Sequence, residues 1–288
     1  MATLPRTLLL LAAAITPVFG FCGSRTHLDR RAEGEAVPVA AFGYVGAGGP
    51  VMWHQLSPAN AICATGSNQS PINMVAGSFN LVPGNNLTVS LPADIPDGAT
   101  FENLGSTIEV VMEGLGGTLE LNDLEYELLQ FHFHHPSEHV NNGVSMPMEM
   151  HMVFSHETQL AVIGVYIDLV DSVSSNATGI LRRSTPSTML ETIFSAIDGV
   201  AAPGSTSKTP AFSMTELSDL LATTDFQRYS GSLTTPPCSE GVEWSVPTAK
   251  LVLSTETFAK VRNVVGFNSR FPQNTPGLAN LIAMSKLL

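Results

Sequence analysis

The stretch Gln130-Phe131-His132-Phe133-His134 alternates polar and aromatic side chains with a period of two. An extended strand sends successive side chains to opposite faces, so Gln130, His132 and His134 share one face while Phe131 and Phe133 take the other. Polar atoms converge on one side and an aromatic backing lies behind them. Around this stretch, short apolar runs recur at residues 80–82, 87–91, 107–112, 118–121, 127–134, 149–155 and 160–169. Pro83-Gly84-Asn85-Asn86, the glycine-rich residues 114–117 and Asn141-Asn142-Gly143 punctuate them. Regularly spaced short strands between Gly/Asn turns predict a mainly antiparallel β architecture. Helices come late and are few: Thr188 to Glu191 and Ser213 to Glu216 each carry a capping-box pattern ahead of an apolar segment. Between them, residues 203–210 read as a surface loop, and no composition break demands a second domain.

Two imidazoles at i and i+2 on a strand stand side by side, close enough to ligate one ion, and His151 on a neighbouring strand can supply a third ligand. Three neutral nitrogens with an open fourth position form a catalytic zinc arrangement. Gln130 lies two residues before His132 and Glu149 two before His151, so each is placed to contact an imidazole, as partners of ligating histidines do. The competing reading is that these are satisfied core histidines, which would be preferred for a single histidine in a Phe-rich strand.

At 288 residues and 44% hydrophobic content the chain can bury a sizeable core, and one domain is expected. A formal net charge of -12 leaves no basic patch for nucleic acid or anionic lipid. Arg6, an apolar run over residues 8–15 and small residues up to Gly20 have the form of a secretory signal over residues 1–20, too short to span a membrane. The dibasic Arg30-Arg31 fits a second cleavage that removes residues 21–31 as a pro-segment, and equally an ordinary solvated charge pair. No other run is long enough to cross a bilayer, so a secreted, extracellular protein is expected. Of three cysteines, Cys22 would leave with the signal or pro-segment; Cys63 and Cys238 then suit a disulfide in an oxidising compartment, two buried thiols being the alternative. Asn86 and Asn176 head Asn-x-Ser/Thr triplets in turn-like stretches and are glycan candidates; Asn68, directly before Gln69-Ser70-Pro71-Ile72, which is expected in the core, is a weaker one.

Ser232-Leu233-Thr234-Thr235-Pro236-Pro237 is a second chemical segment, a rigid loop by its prolines. Together with Trp53, Gln69-Ser70-Pro71-Ile72, residues 130–138, Glu149-Met150-His151, Tyr229, Trp244 and Asn268-Ser269-Arg270, in their order along the chain, it resembles the α-class carbonic anhydrases from about Gly43 to about Gln273. The short spacing from His134 to Glu138 is similar to bacterial and fungal members, and Cys63 with Cys238 matches the single disulfide of secreted ones. The resemblance implies a catalytic domain over residues 40–288, built as a single α+β, mainly β domain on a large, mostly antiparallel twisted central sheet with a few short peripheral helices.

It further implies Zn2+ held by His132, His134 and His151, with water in the fourth position. Gln130 would hold His132, Glu149 would hold His151, and the carbonyl of Asn268 would serve His134. Thr234 would accept a hydrogen bond from the nucleophile while donating its own to Glu138, and Thr235 would line the bicarbonate side. Val153, Val162, Leu233 and Trp244 match the apolar pocket for carbon dioxide, although without the resemblance they read as ordinary core. Carbon dioxide and bicarbonate as substrates, sulfonamides and anions as inhibitors, and a homodimer come with the same resemblance, without nucleic-acid or membrane partners. The sequence departs from fast members at Ser106, which stands where they carry a proton-shuttling histidine; Leu104 and Phe42 also differ from the family pattern. Serine has no pKa near 7 and cannot relay a proton as histidine does. His54, His135, His139 and His156 are substitutes to weigh. Two rival readings are a catalytically silent module of the same family, and a cupin-like metal oxygenase in which Glu138 joins the histidines as a ligand.

Overall fold

The computed structural model describes residues 37–79, 81–83, 87–170 and 185–285. In it the alternating stretch forms the end of an eleven-residue strand, Leu124–His134. This strand starts three residues before the apolar run suggests, because Asn122 and Asp123 adopt left-handed φ of 52° and 62° and make a two-residue hairpin pairing Leu121 with Leu124. Its other neighbours are Ile108–Val111 and Met148–His156, both antiparallel.

From there the sheet runs, in spatial order, Thr206–Lys208, Thr100–Asn103, Ile108–Val111, Leu124–His134, Met148–His156, Gln159–Val170, Glu240–Pro247, Asp225–Ser232 and Leu81–Pro83. With the side branches Leu251–Ser254, Thr118–Leu121 and Thr88–Ser90 it has twelve strands among the described residues. Gln159–Val170 pairs in parallel with Glu240–Pro247 and Leu251–Ser254; the other pairings in this sheet are antiparallel. The sheet is therefore mostly antiparallel with a parallel seam, as the large central sheet expected from the sequence.

One irregularity decides which side chains face the core. Between Val153 and Phe154 the register against Leu124–His134 shifts, so that Val153 opposes Gln130 and Phe154 opposes Leu128. Leu129 is thus the extra residue of a β-bulge. Before it, Tyr126 and Leu128 point into the main core; after it, Phe131 and Phe133 do. The bulge changes the parity of the strand, which turns Gln130, His132 and His134 away from that core. Leu129 itself packs on the opposite side, against Val153, Val162 and Trp244. On the partner strand Met148, Met150, Met152 and Phe154 share the core face with Phe131 and Phe133, leaving Glu149, His151 and Val153 beside the histidines.

Helices cover the core face. Phe133 meets Phe194 of Thr188–Phe194 at 4.7 Å between ring centroids, and Leu217 and Leu221 of Thr215–Thr223 and Val261 of Thr255–Val265 complete the layer. The two capping boxes sit one residue away from the helix starts. Ser187, not Thr188, caps the first helix by accepting from Leu190 N–H at 3.3 Å. The second begins after Met214, and the Ser213 hydroxyl accepts from Thr215 N–H just outside it. The longest helix among the described residues, Thr255–Val265, was not expected; its Ser254 cap is also the last residue of the strand Leu251–Ser254, which hides the start signal. Nor were the short turns Trp53–Leu56 and Ile62–Thr65. Residues 203–210 are not merely a loop, since Thr206–Lys208 forms an edge strand on Thr100–Asn103. Cys63 and Cys238 form a disulfide closing 175 residues. Among the described residues no helix is long and apolar enough to cross a membrane. The signal and pro-segment, Cys22, Asn86 and Asn176 lie outside the described residues.

Because Leu129 is the extra residue, deleting it joins the Val153–Gln130 and Phe154–Leu128 pairs into a regular ladder and keeps every face, whereas one residue inserted between Gln130 and Phe131 puts the two halves of the strand out of phase and turns one of them to the wrong face. The insertion variant should lose the native near-ultraviolet circular dichroism, whereas Leu129→Ala, which keeps the residue count, should retain it at a cost of about 2 kcal/mol in chemical denaturation. A native spectrum from the insertion variant would contradict the role given to the register.

Candidate metal centre

His132 and His151 are direct partners across the two strands, as are His134 and Glu149, so the strand pairing alone brings three imidazoles to one spot. Their ring centroids lie 5.0, 5.3 and 4.5 Å apart, all three are buried, and one ring nitrogen from each falls within 4.8 Å of the others. The remaining nitrogens are tied to the protein. His132 Nδ1 lies 2.9 Å from Gln130 Oε1, His134 Nδ1 2.9 Å from the Asn268 carbonyl, and His151 Nε2 2.9 Å from Glu149 Oε1. These are the three supporting contacts the resemblance implies.

A backbone carbonyl and a carboxylate can only accept, so His134 carries its proton on Nδ1 and His151 on Nε2. Lone pairs are left on His134 Nε2 and His151 Nδ1. Both atoms are buried without a hydrogen-bond partner, a costly state for polar nitrogen unless something else meets it. Burial, then the neighbouring His151, lowers the His134 pKa to about 3, which keeps it in the neutral, ligating form. The donor set therefore fits a metal ion that favours three imidazoles.

Two buried carboxylates flank the triad in different states. Burial pushes Glu149 up, but His139 and His151 beside it outweigh burial and hold it well below the usual carboxylate range. Its Oε1 receives both imidazoles and its Oε2 the backbone N–H groups of Glu138 and His139, at 2.9 and 2.8 Å. Glu138, by contrast, is raised by burial to about 7. Its Oε1 accepts the Arg270 backbone N–H at 2.8 Å, and the Thr234 hydroxyl bonds to the same carboxyl. Glu138, whose Oε1 is engaged by the Arg270 N–H and whose carboxyl is engaged by Thr234, is not grouped with the three imidazoles, and its Oε2 lies 3.9 Å from His151 Nδ1.

The predicted apolar wall assembles on the same side. Val153, Val162, Leu233 and Trp244 form one buried cluster, joined by Val242, which the sequence reading missed. Trp244 stands 4.8 Å from the His151 ring, and its indole N–H donates to the Ser232 carbonyl at 3.0 Å. Thr235, buried in the adjoining loop, accepts the Cys238 N–H at 2.8 Å on its carbonyl. Glu109, also missed, is fully buried and directly opposite His132, with Glu102 opposite it in turn. The alternation of Glu109 with Ile108 and Val110 was a signal for this.

Ser106 is only 4% exposed and its hydroxyl has no hydrogen-bond partner; its carbonyl accepts from Asn268 Nδ2 at 3.0 Å. The substitute histidines have other surroundings. His139 is fully buried, with Nδ1 on Glu149 and Nε2 on Tyr229. His135 points to the other face, against the Pro147 carbonyl and Phe258. His156 lies five residues along its strand from His151, about 17 Å at strand rise. Nothing links His54 to the histidine triad; its Nε2 lies 3.4 Å from Gln55 Nε2. Phe42 packs edge-on to Tyr44 and Trp53, so its aromatic bulk is kept. Asn68 is half-buried, with its backbone N–H on Glu240 at 2.7 Å.

A family model for eukaryotic-type carbonic anhydrase matches residues 48–276. The chain belongs to this family, the α-carbonic anhydrases. A carbonic anhydrase from Nostoc sp. is 32% identical over 234 residues, spanning 81% of this chain and 80% of the relative. The structure of the fungal α-carbonic anhydrase from Aspergillus oryzae aligns with a TM-score of 0.77 at 34% identity, covering 86% of this chain and 99% of that one. The α-carbonic anhydrase from Thermovibrio ammonificans, solved in complex with the inhibitor sulfanilamide, aligns with a TM-score of 0.69 at 35% identity over 84% and 98% of the two chains. Carbonic anhydrases are lyases, α-carbonic anhydrases are zinc enzymes, and carbon dioxide hydration is the family's general reaction.

Gly164 shows how tightly this α-carbonic anhydrase is built around Glu149. A Cβ on Gly164 would lie 2.7 Å from Glu149 Oε1 and 3.4 Å from the Trp244 ring. Gly164→Ala should therefore displace a carboxylate held by four hydrogen bonds and weaken metal retention about 10- to 100-fold, measured by competition with a chelator. Retention equal to wild type would show that Glu149 does not need its observed position.

Proposed function

We propose that the chain is a secreted zinc enzyme that catalyses the reversible hydration of carbon dioxide to bicarbonate and a proton. The observation that carries this is the pair of buried nitrogens, His134 Nε2 and His151 Nδ1, whose tautomers are set by Asn268 and Glu149 and which have no hydrogen-bond partner. His132, His134 and His151 would hold the ion. Bound there, Zn2+ would lower the pKa of water to near 7 and so supply a nucleophile at neutral pH.

The chain's own groups do the rest. The Thr234 hydroxyl donates a hydrogen bond to Glu138, so that the Thr234 oxygen accepts from the attacking O–H and fixes its direction, an orientation effect of the kind that lowers barriers. The wall of Val153, Val162, Leu233, Val242 and Trp244 suits carbon dioxide, which is apolar and offers almost nothing to hydrogen-bond. Thr235 would line the bicarbonate side, and a sulfonamide or small anion would compete at the same cavity. Export of the product proton is the weak step, because Ser106 has no group titrating near 7 and His139 is locked inside. The cross-link between Cys63 and Cys238 and the apolar N-terminal run support an extracellular location, with glycans at Asn86 and Asn176.

Stopped-flow hydration of carbon dioxide on zinc-loaded protein is expected to be blocked by a sulfonamide and to rise with imidazole concentration. Thr234→Ala should lower kcat by about 100-fold. Absent hydration in zinc-loaded protein would favour a catalytically silent member of the family, and turnover that is fast and indifferent to buffer would overturn the proton-export argument alone.

A further inference from the structure

The motif Gln69-Ser70-Pro71 and the residue Tyr229 take no part in the proposed chemistry, yet they end a chain of hydrogen bonds that begins at the metal-facing imidazole of His151. Glu149 Oε1 receives His151 Nε2 at 2.9 Å and His139 Nδ1 at 2.7 Å. The other ring nitrogen of His139 lies 2.7 Å from the Tyr229 hydroxyl, which lies 2.8 Å from Ser70 Oγ. Ser70 Oγ accepts the Ser232 backbone N–H at 3.0 Å. Ser70, His139 and Glu149 are fully buried.

We propose that Tyr229 is a positioning residue for the metal centre, acting through His139 and Glu149 on the ring of His151. This rests on the zinc reading above. An imidazole tied at one nitrogen can still swing about that bond; tied at both, its plane is determined. Tyr229 supplies the second tie for His139, and His139 in turn supplies one of the two bonds on Glu149 Oε1. Loss of the Tyr229 hydroxyl leaves a buried ring nitrogen unsatisfied and frees His139 to turn, and Glu149 then holds His151 less firmly.

The packing around the relay shows that these contacts are built rather than incidental. The Tyr229 ring lies parallel to Trp244, 10° apart at 6.3 Å, while Trp244 stands edge-on to both His139 and His151 at 4.8 Å. Gly231 makes the close approach feasible: a Cβ there would lie 2.2 Å from Ser70 Oγ and 2.6 Å from Tyr229 Cε2. The relay also joins the strand Asp225–Ser232, which leads into the Thr234 loop, to the histidine strands, so one array of bonds references both chemical segments.

The test uses Tyr229→Phe, which removes the hydroxyl and keeps the ring on Trp244. Zinc loss from the full chain to excess dipicolinate is expected to be about tenfold faster than in wild type, with a changed visible absorption spectrum in the Co2+-substituted protein. Combined with Glu149→Gln, the Tyr229→Phe change should add little, because both act along one path. Where Tyr229→Phe does not fold, Ser70→Ala reads the same relay one bond further out and should accelerate zinc loss severalfold. Zinc loss within twofold of wild type with an unchanged Co2+ spectrum, or effects that multiply in the double variant, would overturn the relay alone. Wild-type protein that retains no zinc would overturn the zinc reading as well.

Discussion

The antiparallel pairing of Leu124–His134 with Met148–His156, broken once by the bulge at Leu129, is the constraint on which the rest depends. Pairing alone sets His132 against His151 and His134 against Glu149. Alternation separates Phe131 and Phe133 from the imidazoles, and the bulge lets Tyr126 and Leu128 join the phenylalanines in the helix-covered core instead of falling on the imidazole face. The site is therefore as rigid as the middle of the sheet, and no loop has to close to assemble the triad.

Polarity on the site face follows from what each partner can do. Asn268 O and Glu149 accept but cannot donate, which makes the tautomers of His134 and His151 a consequence of the fold. Two buried carboxylates beside the same triad diverge because their surroundings differ: Glu149 is surrounded by four donors, while burial dominates at Glu138. The first suits a fixed acceptor that orients histidines. The second accepts one hydrogen bond from the Thr234 hydroxyl and holds its direction.

Much of this was legible in the residues themselves. Period-two alternation marked the histidine face, and the matched offsets of Gln130 and Glu149 marked two of the supporting contacts, because both follow from strand geometry within a few residues. The Asn268 carbonyl reaching His134, the Arg270 N–H reaching Glu138 and the His139–Tyr229–Ser70 chain join segments 90 to 160 residues apart and needed either family resemblance or the tertiary structure. The bulge was hidden, since Leu128-Leu129 reads as continuous apolar sequence whichever side each residue takes. The capping errors at Ser187 and Ser213 are one-residue ambiguities among adjacent Ser and Thr, any of which can present an oxygen to the first turn. Thr255–Val265 lacked a visible start because its cap, Ser254, is also the last residue of a strand.

The central claim is that three neutral imidazoles, held by Gln130, Glu149 and Asn268, form a single zinc site. X-ray absorption at the zinc edge on stoichiometrically loaded protein tests it most directly. The account predicts one zinc per chain with three imidazole nitrogens at about 2.0–2.1 Å and one further light ligand, and loss of that signal in His151→Ala. A coordination shell that includes a carboxylate, or no stoichiometric zinc at all, would contradict it.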